Sequence, residues 1–197
     1  EQGWTIVNDL DMVPWQQLDF VFQSDGTTGK VMALNHDFNT FFEAEGSVDD
    51  LIAPTLNLEG VVAPYLTFDV SYLHSFAEDD ALQVVVSSVC GLSFVEVYYK
   101  TGAALNSRDT ETPNTIEDWV HEFVDLSAFA GQSILLKFRT ISGGGNWLML
   151  DNVAINGDVV GIEEVETAHD FSFTATRLSP TNQLLQLNIK SQEAQQL

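Results

Sequence analysis

The chain has 197 residues, of which 45% are hydrophobic, enough to bury the core of one ordinary domain. Its 29 acidic and 7 basic residues give a formal net charge of −22, which repels nucleic-acid phosphates and anionic membranes. These values exclude nucleic-acid binding. Membrane insertion is also excluded, because no apolar run approaches the roughly 20 residues of a spanning helix. One cysteine, Cys90, leaves no intramolecular disulfide.

The sequence predicts short β-strands separated by turns. Apolar and polar residues alternate with a period of two in six runs, at residues 66–76, 81–87, 94–100, 119–126, 134–141 and 147–155. Turn-forming residues lie between the runs, and no long stretch has a period of 3.6. The pattern indicates an all-β, antiparallel sandwich over residues 1–157.

Two of the turns carry residues that resemble functional motifs. The acidic pair Asp79 and Asp80 is interpreted as a solvated turn. The glycine run at 143–145 is interpreted as a β-turn, because the Gly-Lys-Ser/Thr of a phosphate-binding loop is missing.

A second region follows the sandwich. Residues 158–170 form an acidic linker, and residues 171–178 and 184–190 alternate around a turn, which predicts a C-terminal β-hairpin within 171–197. Two strands are not a stable domain. The hairpin is therefore either the beginning of a further domain or an element that packs on the sandwich.

Enzyme motifs are absent from the sequence. Residues 91–95 lack the closing glycine of a nucleophile elbow, and His121-Glu122 is not followed by the second histidine of a zinc helix. We therefore expect a protein that is not an enzyme.

Calcium is the metal that an acidic β-sandwich most readily binds, because hard cations prefer several oxygen ligands. Asn8, Asp9 and Asp11 form the densest oxygen-rich loop, although it lacks EF-hand spacing. Asp151 is the leading candidate for a further ligand, since it interrupts an apolar strand, where an unpaired charge is costly. The predicted metal ligands are therefore Asn8, Asp9, Asp11 and Asp151.

Asp151 also has a purely structural interpretation. It would then cap its strand through backbone hydrogen bonds, or pair with Lys137 or Arg139.

The four tryptophans are the other candidate functional elements. We expect Trp4, Trp15 and Trp119 in the core, as is usual for tryptophan in a sandwich of this size. Trp147 follows the glycine run and is expected near an exposed edge. Trp147 and the adjacent Asn146 are the predicted ligand-binding residues.

An ordered set of short motifs resembles a secreted bacterial jelly-roll family, the cleaved-adhesin or choice-of-anchor-J type, which is related to MAM domains. The opening matches a "GWT…D-x-D…W" pattern at Gly3, Trp4, Asp9, Asp11 and Trp15. Further similar segments lie at residues 49–54, 64–69, 80–84, 87–91, 124–131, 136–139 and 145–153. The resemblance covers residues 1–157, and Asp151 matches the family's strand aspartate.

The tail has a resemblance of its own. Residues 178–189 are similar to the opening of a type IX secretion sorting domain, "Y-P-N-P-T…L-x-I". This similarity implies export to the cell surface or medium, often behind a catalytic domain in the same polypeptide.

Together the resemblances imply a noncatalytic jelly-roll module for adhesion or polysaccharide binding, with structural calcium. Its ligand would be a polysaccharide or an extracellular protein. The alternative is a structural spacer with no ligand, and a concave aromatic patch would favour the binding module over the spacer.

Overall fold

A computed structural model describes residues 3–8, 13–36, 46–74 and 79–159, together with the backbone of two strands at 171–177 and 185–191. Within residues 3–159, two antiparallel sheets face each other, which confirms the predicted jelly-roll sandwich. One sheet has the strand order β1-β4-β10-β7-β8, with the short β5 also paired to β10. The other, five-stranded sheet has the order β2-β3-β11-β6-β9.

The strands have the following bounds: β1 Thr5–Asn8, β2 Gln16–Phe22, β3 Thr28–Asn35, β4 Val48–Ile52, β5 Leu56–Asn57, β6 Val61–Tyr72, β7 Ala81–Ser87, β8 Val95–Thr101, β9 Val120–Asp125, β10 Ser133–Ile141, β11 Trp147–Val159, β12 Phe171–Arg177 and β13 Leu185–Ser191. Short 3₁₀ turns occupy Gly102–Ala104, Ile116–Asp118 and Ser127–Phe129. No described helix is both long and apolar enough to cross a membrane.

The core between the sheets is built from the alternating apolar residues of the central strands. Phe68 of β6 is fully buried and meets Phe138 of β10 and Tyr98 of β8 edge-on, with ring centroids 5.1 and 5.3 Å apart. Edge-to-face contact is a favourable geometry for aromatic rings. These three rings join the two sheets at the centre of the sandwich.

The β2–β3 hairpin was not predicted from the alternation. Its turn is built on Asp25 and Gly26: Gly26 has φ +81°, and the Asp25 carboxylate accepts the Thr27 backbone N–H at 2.8 Å. Asp-Gly is a common tight-turn pair because glycine adopts positive φ without strain. β2 also has a register shift between Leu18 and Val21, which obscures its period of two.

Two of the three tryptophans expected in the core are buried. Trp15 is buried and donates its indole N–H to the Asp49 carbonyl oxygen at 3.3 Å, and Trp119 packs in a second apolar cluster on the five-stranded sheet. The expectation for Trp4 is wrong, because this side chain is 44% exposed. Trp4 precedes β1, an edge strand, so that fewer neighbours cover it.

The suggested pairing of Asp151 with Lys137 or Arg139 is also wrong. Both cations lie on β10 and bind Asp50 of β4: Lys137 Nζ is 2.5 Å from Asp50 Oδ2, and Arg139 Nε is 2.7 Å from Asp50 Oδ1. The Arg139 guanidinium and the Lys137 ammonium group hold the pKa of Asp50 below its ordinary value, although burial acts in the opposite direction.

Asp80 is buried, not solvated as the sequence suggested. Its carboxylate accepts hydrogen bonds from the Tyr72 hydroxyl at 2.8 Å and from the backbone N–H groups of Gly143, Gly145 and Asn146 at 2.7–3.2 Å. The glycine run therefore wraps an internal carboxylate. Four donors compensate for the desolvation of this charge.

The chain divides into two compact units, Glu1–Val159 and Val160–Leu197. β11 continues through Asp158 and Val159, so the strand includes the first two residues of the expected linker. In the second unit, β12 and β13 pair antiparallel, which agrees with the predicted hairpin.

The Asp80 loop gives a stability prediction. A Cβ at Gly143 would lie 2.7 Å from the Asp79 carbonyl carbon, closer than a side chain can approach backbone. Gly143→Ala should therefore lower the free energy of unfolding by about 2 kcal/mol, measured by urea denaturation. The control is Gly3→Ala, where a Cβ meets nothing within 4 Å. Equal stability of the two variants would contradict the tight loop.

Candidate functional site

The face of the five-stranded sheet that points away from the core carries a group of polar and aromatic side chains. On β6, Leu66 and Phe68 point into the core, so that Tyr65, Thr67 and Asp69 point outward. On β9, which pairs with β6, the same alternation turns His121 and Phe123 outward. We call this surface the outer face.

Asp69 is the centre of a hydrogen-bond cluster on the outer face. Its side chain is only 7% exposed. Oδ2 accepts the Ser24 hydroxyl and the Asn152 side-chain amide, the latter at 2.7 Å, while Oδ1 lies 2.6 Å from His121 Nδ1. Because an ionised carboxylate can only accept, His121 carries hydrogen on Nδ1. Nε2 of this 64% exposed ring is then the nitrogen that remains for a ligand.

A β-bulge brings Asn152 into the cluster. The register between β11 and β6 shifts between Asp151 and Ala154, and Asn152 takes φ +49°. Asparagine tolerates this left-handed conformation better than most residues. The bulge lets the Asn152 amide contact both Ser24 and Asp69.

Gln23 fixes Asp151 beside the cluster. Its amide donates to Asp151 Oδ2 at 2.6 Å and to the Lys30 carbonyl oxygen at 3.1 Å. Gly29 leaves room for this side chain, because a Cβ there would lie 2.1 Å from Gln23 Oε1. Asp151 also accepts the Asn152 backbone N–H at 2.8 Å, as the capping interpretation suggested.

Burial, together with the nearby negative charges of Asp69 and Asp25, raises the pKa of Asp151 to about 6. Asp151 faces Asp69 directly across the β6–β11 pair. Two carboxylates thus share a region that burial makes less polar than water.

An open pocket of about 410 Å³ adjoins the cluster and is lined by Ser24, Asp69, Ile116, Glu117, Trp119 and His121. This volume lies within the usual range of small-ligand sites. Trp119 forms one wall and is held in place by its indole N–H, which donates to the Phe22 carbonyl oxygen at 2.9 Å. Ile116 and Glu117 come from the loop between β8 and β9.

Arg108 fastens the β8–β9 loop onto the outer face. This buried guanidinium donates to the Ser71 hydroxyl at 2.8 Å and to the carbonyl oxygens of Trp147 and Thr110 at 2.6 and 2.9 Å. Burial lowers its pKa to about 10. The loop that forms the pocket wall is therefore held by directional bonds to the sheet beneath it.

A stacked aromatic pair lies next to the pocket. The rings of Tyr65 and Phe123 have centroids 4.9 Å apart and an interplanar angle of 29°. Phe123 is 63% exposed, an uncommon position for a phenylalanine in a packed sandwich. Phe123 and His121 are two residues apart on β9, so the pair and the pocket are separated by only about 7 Å along the strand.

The structure separates the predicted metal ligands. Asn8 ends β1 in the sheet that contains β4, and its register partner there is Asp49. Asp151 lies in the five-stranded sheet among Gln23, Asn152 and Asp69, and Asn8 is not among its described contacts. Asp9 and Asp11 lie outside the described residues. Within the described ranges, no three His, Cys, Asp or Glu side chains are grouped as a metal site.

The predicted ligand-binding residues are partly engaged in packing. Trp147 is half-buried against the second apolar cluster, and its carbonyl oxygen accepts Arg108. Asn146 is half-buried, and its backbone N–H and carbonyl oxygen bond Asp80 and His36. Whether either contacts a ligand stays a prediction.

Sequence reasoning did not single out Tyr65, Asp69, His121 or Phe123 as functional. A signal was present, because an aromatic residue at Phe123 stands on the polar face of an alternating strand. The pairing of β6 with β9, which sets these residues side by side, has no local signature.

No protein-family model and no curated protein matches the chain. Solved structures do resemble it. The K1 cleaved adhesin domain of Lys-gingipain from Porphyromonas gingivalis W83 has a TM-score of 0.53 and 17% identity, over 79% of this chain and 90% of that chain. The K2 cleaved adhesin domain of Lys-gingipain has a TM-score of 0.52 and 15% identity, over 80% of this chain and 90% of that chain.

A carbohydrate-binding module from the β-sandwich superfamily, from a study of promiscuous specificity, has a TM-score of 0.51 and 12% identity. The match covers 78% of this chain and 57% of that chain. At these identities the likeness establishes the fold. The chain has the β-sandwich architecture of cleaved adhesin domains and carbohydrate-binding modules.

The raised pKa of Asp151 predicts a pH-dependent stability difference. Between its ordinary pKa of 3.8 and about 6, the folded chain retains a proton that the unfolded chain has released. The contribution of this group to stability therefore falls as pH rises through that window. Relative to the wild type, the free energy of unfolding of Asp151→Asn should therefore rise by about 1 kcal/mol between pH 4 and pH 7, measured by urea unfolding.

Asp125→Asn is a control of opposite sign. Hydrogen bonds from the Ser127 side chain and backbone hold the pKa of Asp125 below its ordinary value, so this variant should lose stability at neutral pH and converge with the wild type in acid. If the stability difference between Asp151→Asn and the wild type does not change with pH, the raised pKa of Asp151 is contradicted.

Proposed function

We propose that this chain is a noncatalytic extracellular module that binds a polysaccharide on the outer face of its five-stranded sheet. The observation that carries the proposal is the stacked Tyr65–Phe123 pair, in which Phe123 is exposed and Tyr65 half-buried, beside a pocket with fixed polar groups on the same surface. Aromatic rings match the apolar C–H faces of sugar rings, while fixed polar groups match their hydroxyls.

The polar groups of the pocket are already held in position. Ser24 and His121 line the pocket and both bond Asp69, which the Asn152 amide also holds, so these side chains have little freedom left to lose on binding. Such preorganisation lowers the entropic cost of association.

The same bonds argue against catalysis at this site. The Ser24 hydroxyl donates to Asp69 and not to His121, so the three residues do not form a nucleophile activated by a base. Asp69 and Asp151 are each engaged by donors of the protein itself. Neither is arranged as a free acid or base on opposite sides of a substrate bond.

Other findings support the proposal. The solved relatives with the same fold are named as adhesin domains and a carbohydrate-binding module. The resemblance of residues 178–189 to a type IX sorting domain supports export, with the module serving as an accessory to a secreted hydrolase or surface protein. The exposed Phe123 ring of the aromatic pair favours binding over the alternative of a structural spacer.

Binding can be tested by native gel electrophoresis in gels that contain β-1,4-galactan, mixed-linkage β-glucan or xyloglucan. At least one polymer should retard the wild type, and Phe123→Ala should weaken that retardation by about tenfold, since an exposed aromatic anchor is removed.

The matched control is Tyr99→Ala. Tyr99 is 48% exposed on β8, in the other sheet, and its loss should leave binding unchanged. If no polysaccharide retards the wild type, the spacer interpretation replaces the binding module. Equal losses in both variants would place the ligand elsewhere.

We also propose a structural calcium ion near the end of β1. Asn8 Oδ1 is buried without a hydrogen-bond partner, and a carboxylate, Asp49, lies fully buried opposite it on β4. Oxygen donors of this kind fit Ca²⁺. Asn8 and Asp49 would hold the ion together with Asp9 and Asp11 of the sequence prediction, and the ion's charge would offset that of the buried Asp49 carboxylate.

The calcium proposal predicts a calcium-specific rise in the melting temperature after EDTA treatment, with magnesium as the control, because an ion that binds the folded state stabilises it. Asn8→Ala and Asp49→Asn should reduce the rise.

Asp151→Asn should keep the rise, because Asp151 lies in the five-stranded sheet. Loss of the effect in both Asp151→Asn and Asn8→Ala, but not in Asp49→Asn, would instead support the site predicted from sequence. A melting temperature that calcium does not change would refute the calcium proposal, and the β-sandwich fold would still stand.

A further inference from the structure

We infer that the pocket on the outer face selects glycans that donate hydrogen bonds and carry no anionic groups, and that it rejects uronate polymers. This inference rests on the proposed function and deepens it. The observations that carry it are the hydrogen-bond character of the pocket lining and the positions of the cations.

Besides the apolar surfaces of Ile116 and Trp119, the pocket lining offers hydrogen-bond acceptors. Asp69 and Glu117 are carboxylates, and in the neutral His121 imidazole Nε2 is an acceptor when Nδ1–H donates to Asp69. The two potential donors are already used, because the Ser24 hydroxyl donates to Asp69 and the Trp119 indole N–H to the Phe22 carbonyl oxygen.

Sugar hydroxyls complete such a site, since each can donate a hydrogen to a carboxylate or to an imidazole nitrogen. The carboxylate of a uronic acid cannot, because when ionised it only accepts. It would also face the charges of Asp69 and Glu117 at short range, with Asp151 behind Asp69. Like charges in a partly buried site repel more strongly than in water.

The cations of the sandwich are committed elsewhere. Residues 1–159 contain five lysines and arginines, and the other two, Arg177 and Lys190, follow residue 159. Lys30 pairs with Asp19, Lys100 with Glu122, and Lys137 and Arg139 with Asp50. Arg108 is buried against Ser71 and two carbonyl oxygens.

None of these five side chains lines the pocket. An anionic glycan would therefore meet carboxylates without a counter-charge from the protein. The formal net charge of −22 adds a long-range repulsion to this local one.

The test uses the full chain and matched polymers in native gels. β-1,4-galactan and mixed-linkage β-glucan are run as the neutral polymers and after oxidation of C6 to the uronate form, at 0.15 M salt to screen long-range repulsion. The neutral polymer should retard the chain at least about tenfold more strongly than its oxidised form.

Two charge variants separate the local effect from the global one. Glu117→Lys places a cation in the pocket wall and should restore binding to the oxidised polymer. Glu59→Lys makes the same charge change at an exposed residue outside the pocket lining and should not. Both side chains are exposed, so neither variant should disturb folding.

The outcomes distinguish the two proposals. Retardation by no neutral polymer overturns the proposed function and this inference with it. Retardation by neutral and oxidised polymers alike leaves the binding module standing and overturns the selectivity. Equal recovery in Glu117→Lys and Glu59→Lys shows that net charge alone, and not the pocket, sets the preference, which also overturns it.

Discussion

The outer face depends on one buried carboxylate, that of Asp69. Its oxygens collect donors from three separate elements: Ser24 in the β2–β3 turn, Asn152 in the bulge of β11, and His121 on β9. An unsatisfied charge in this position would cost several kcal/mol, of the order expected for any buried ion. Satisfying it fixes a turn, a bulge and an edge strand relative to one another, and the turn and the edge strand contribute Ser24 and His121 to the lining of the pocket.

Two further polar anchors hold loops of the sandwich in place. Asp80 organises the glycine run through backbone N–H groups, and Arg108 ties the β8–β9 loop to Ser71 and Trp147. Buried polar networks that are fully satisfied specify one arrangement, because alternatives leave groups unpaired. The β8–β9 loop, which carries Ile116 and Glu117, therefore acts as a fixed wall of the pocket, which suits a module that binds a ligand without moving.

The positions of the lysine and arginine side chains determine the charge of the surface. Lys100, Lys137 and Arg139 pair with the largely buried carboxylates of Glu122 and Asp50, while the acidic residues of the chain outnumber the basic ones 29 to 7. The structure thus keeps its positive charge for folding and presents a negative exterior. A neutral, hydroxyl-rich ligand is compatible with this exterior, whereas an anionic partner is not.

The sequence by itself determined the strands with clear alternation and the core they bury, since a period of two fixes which side chains share a face. It located β7 to within a residue and placed Leu66, Phe68 and Val70 in the core, as the structure shows. It missed β2, whose bulge breaks the period, and also β3, β4 and β5. Only the tertiary structure decided which strands are neighbours. The partners of Asp69, Asp80 and Asp151 come from distant segments, and alternation along one strand carries no information about the strand beside it.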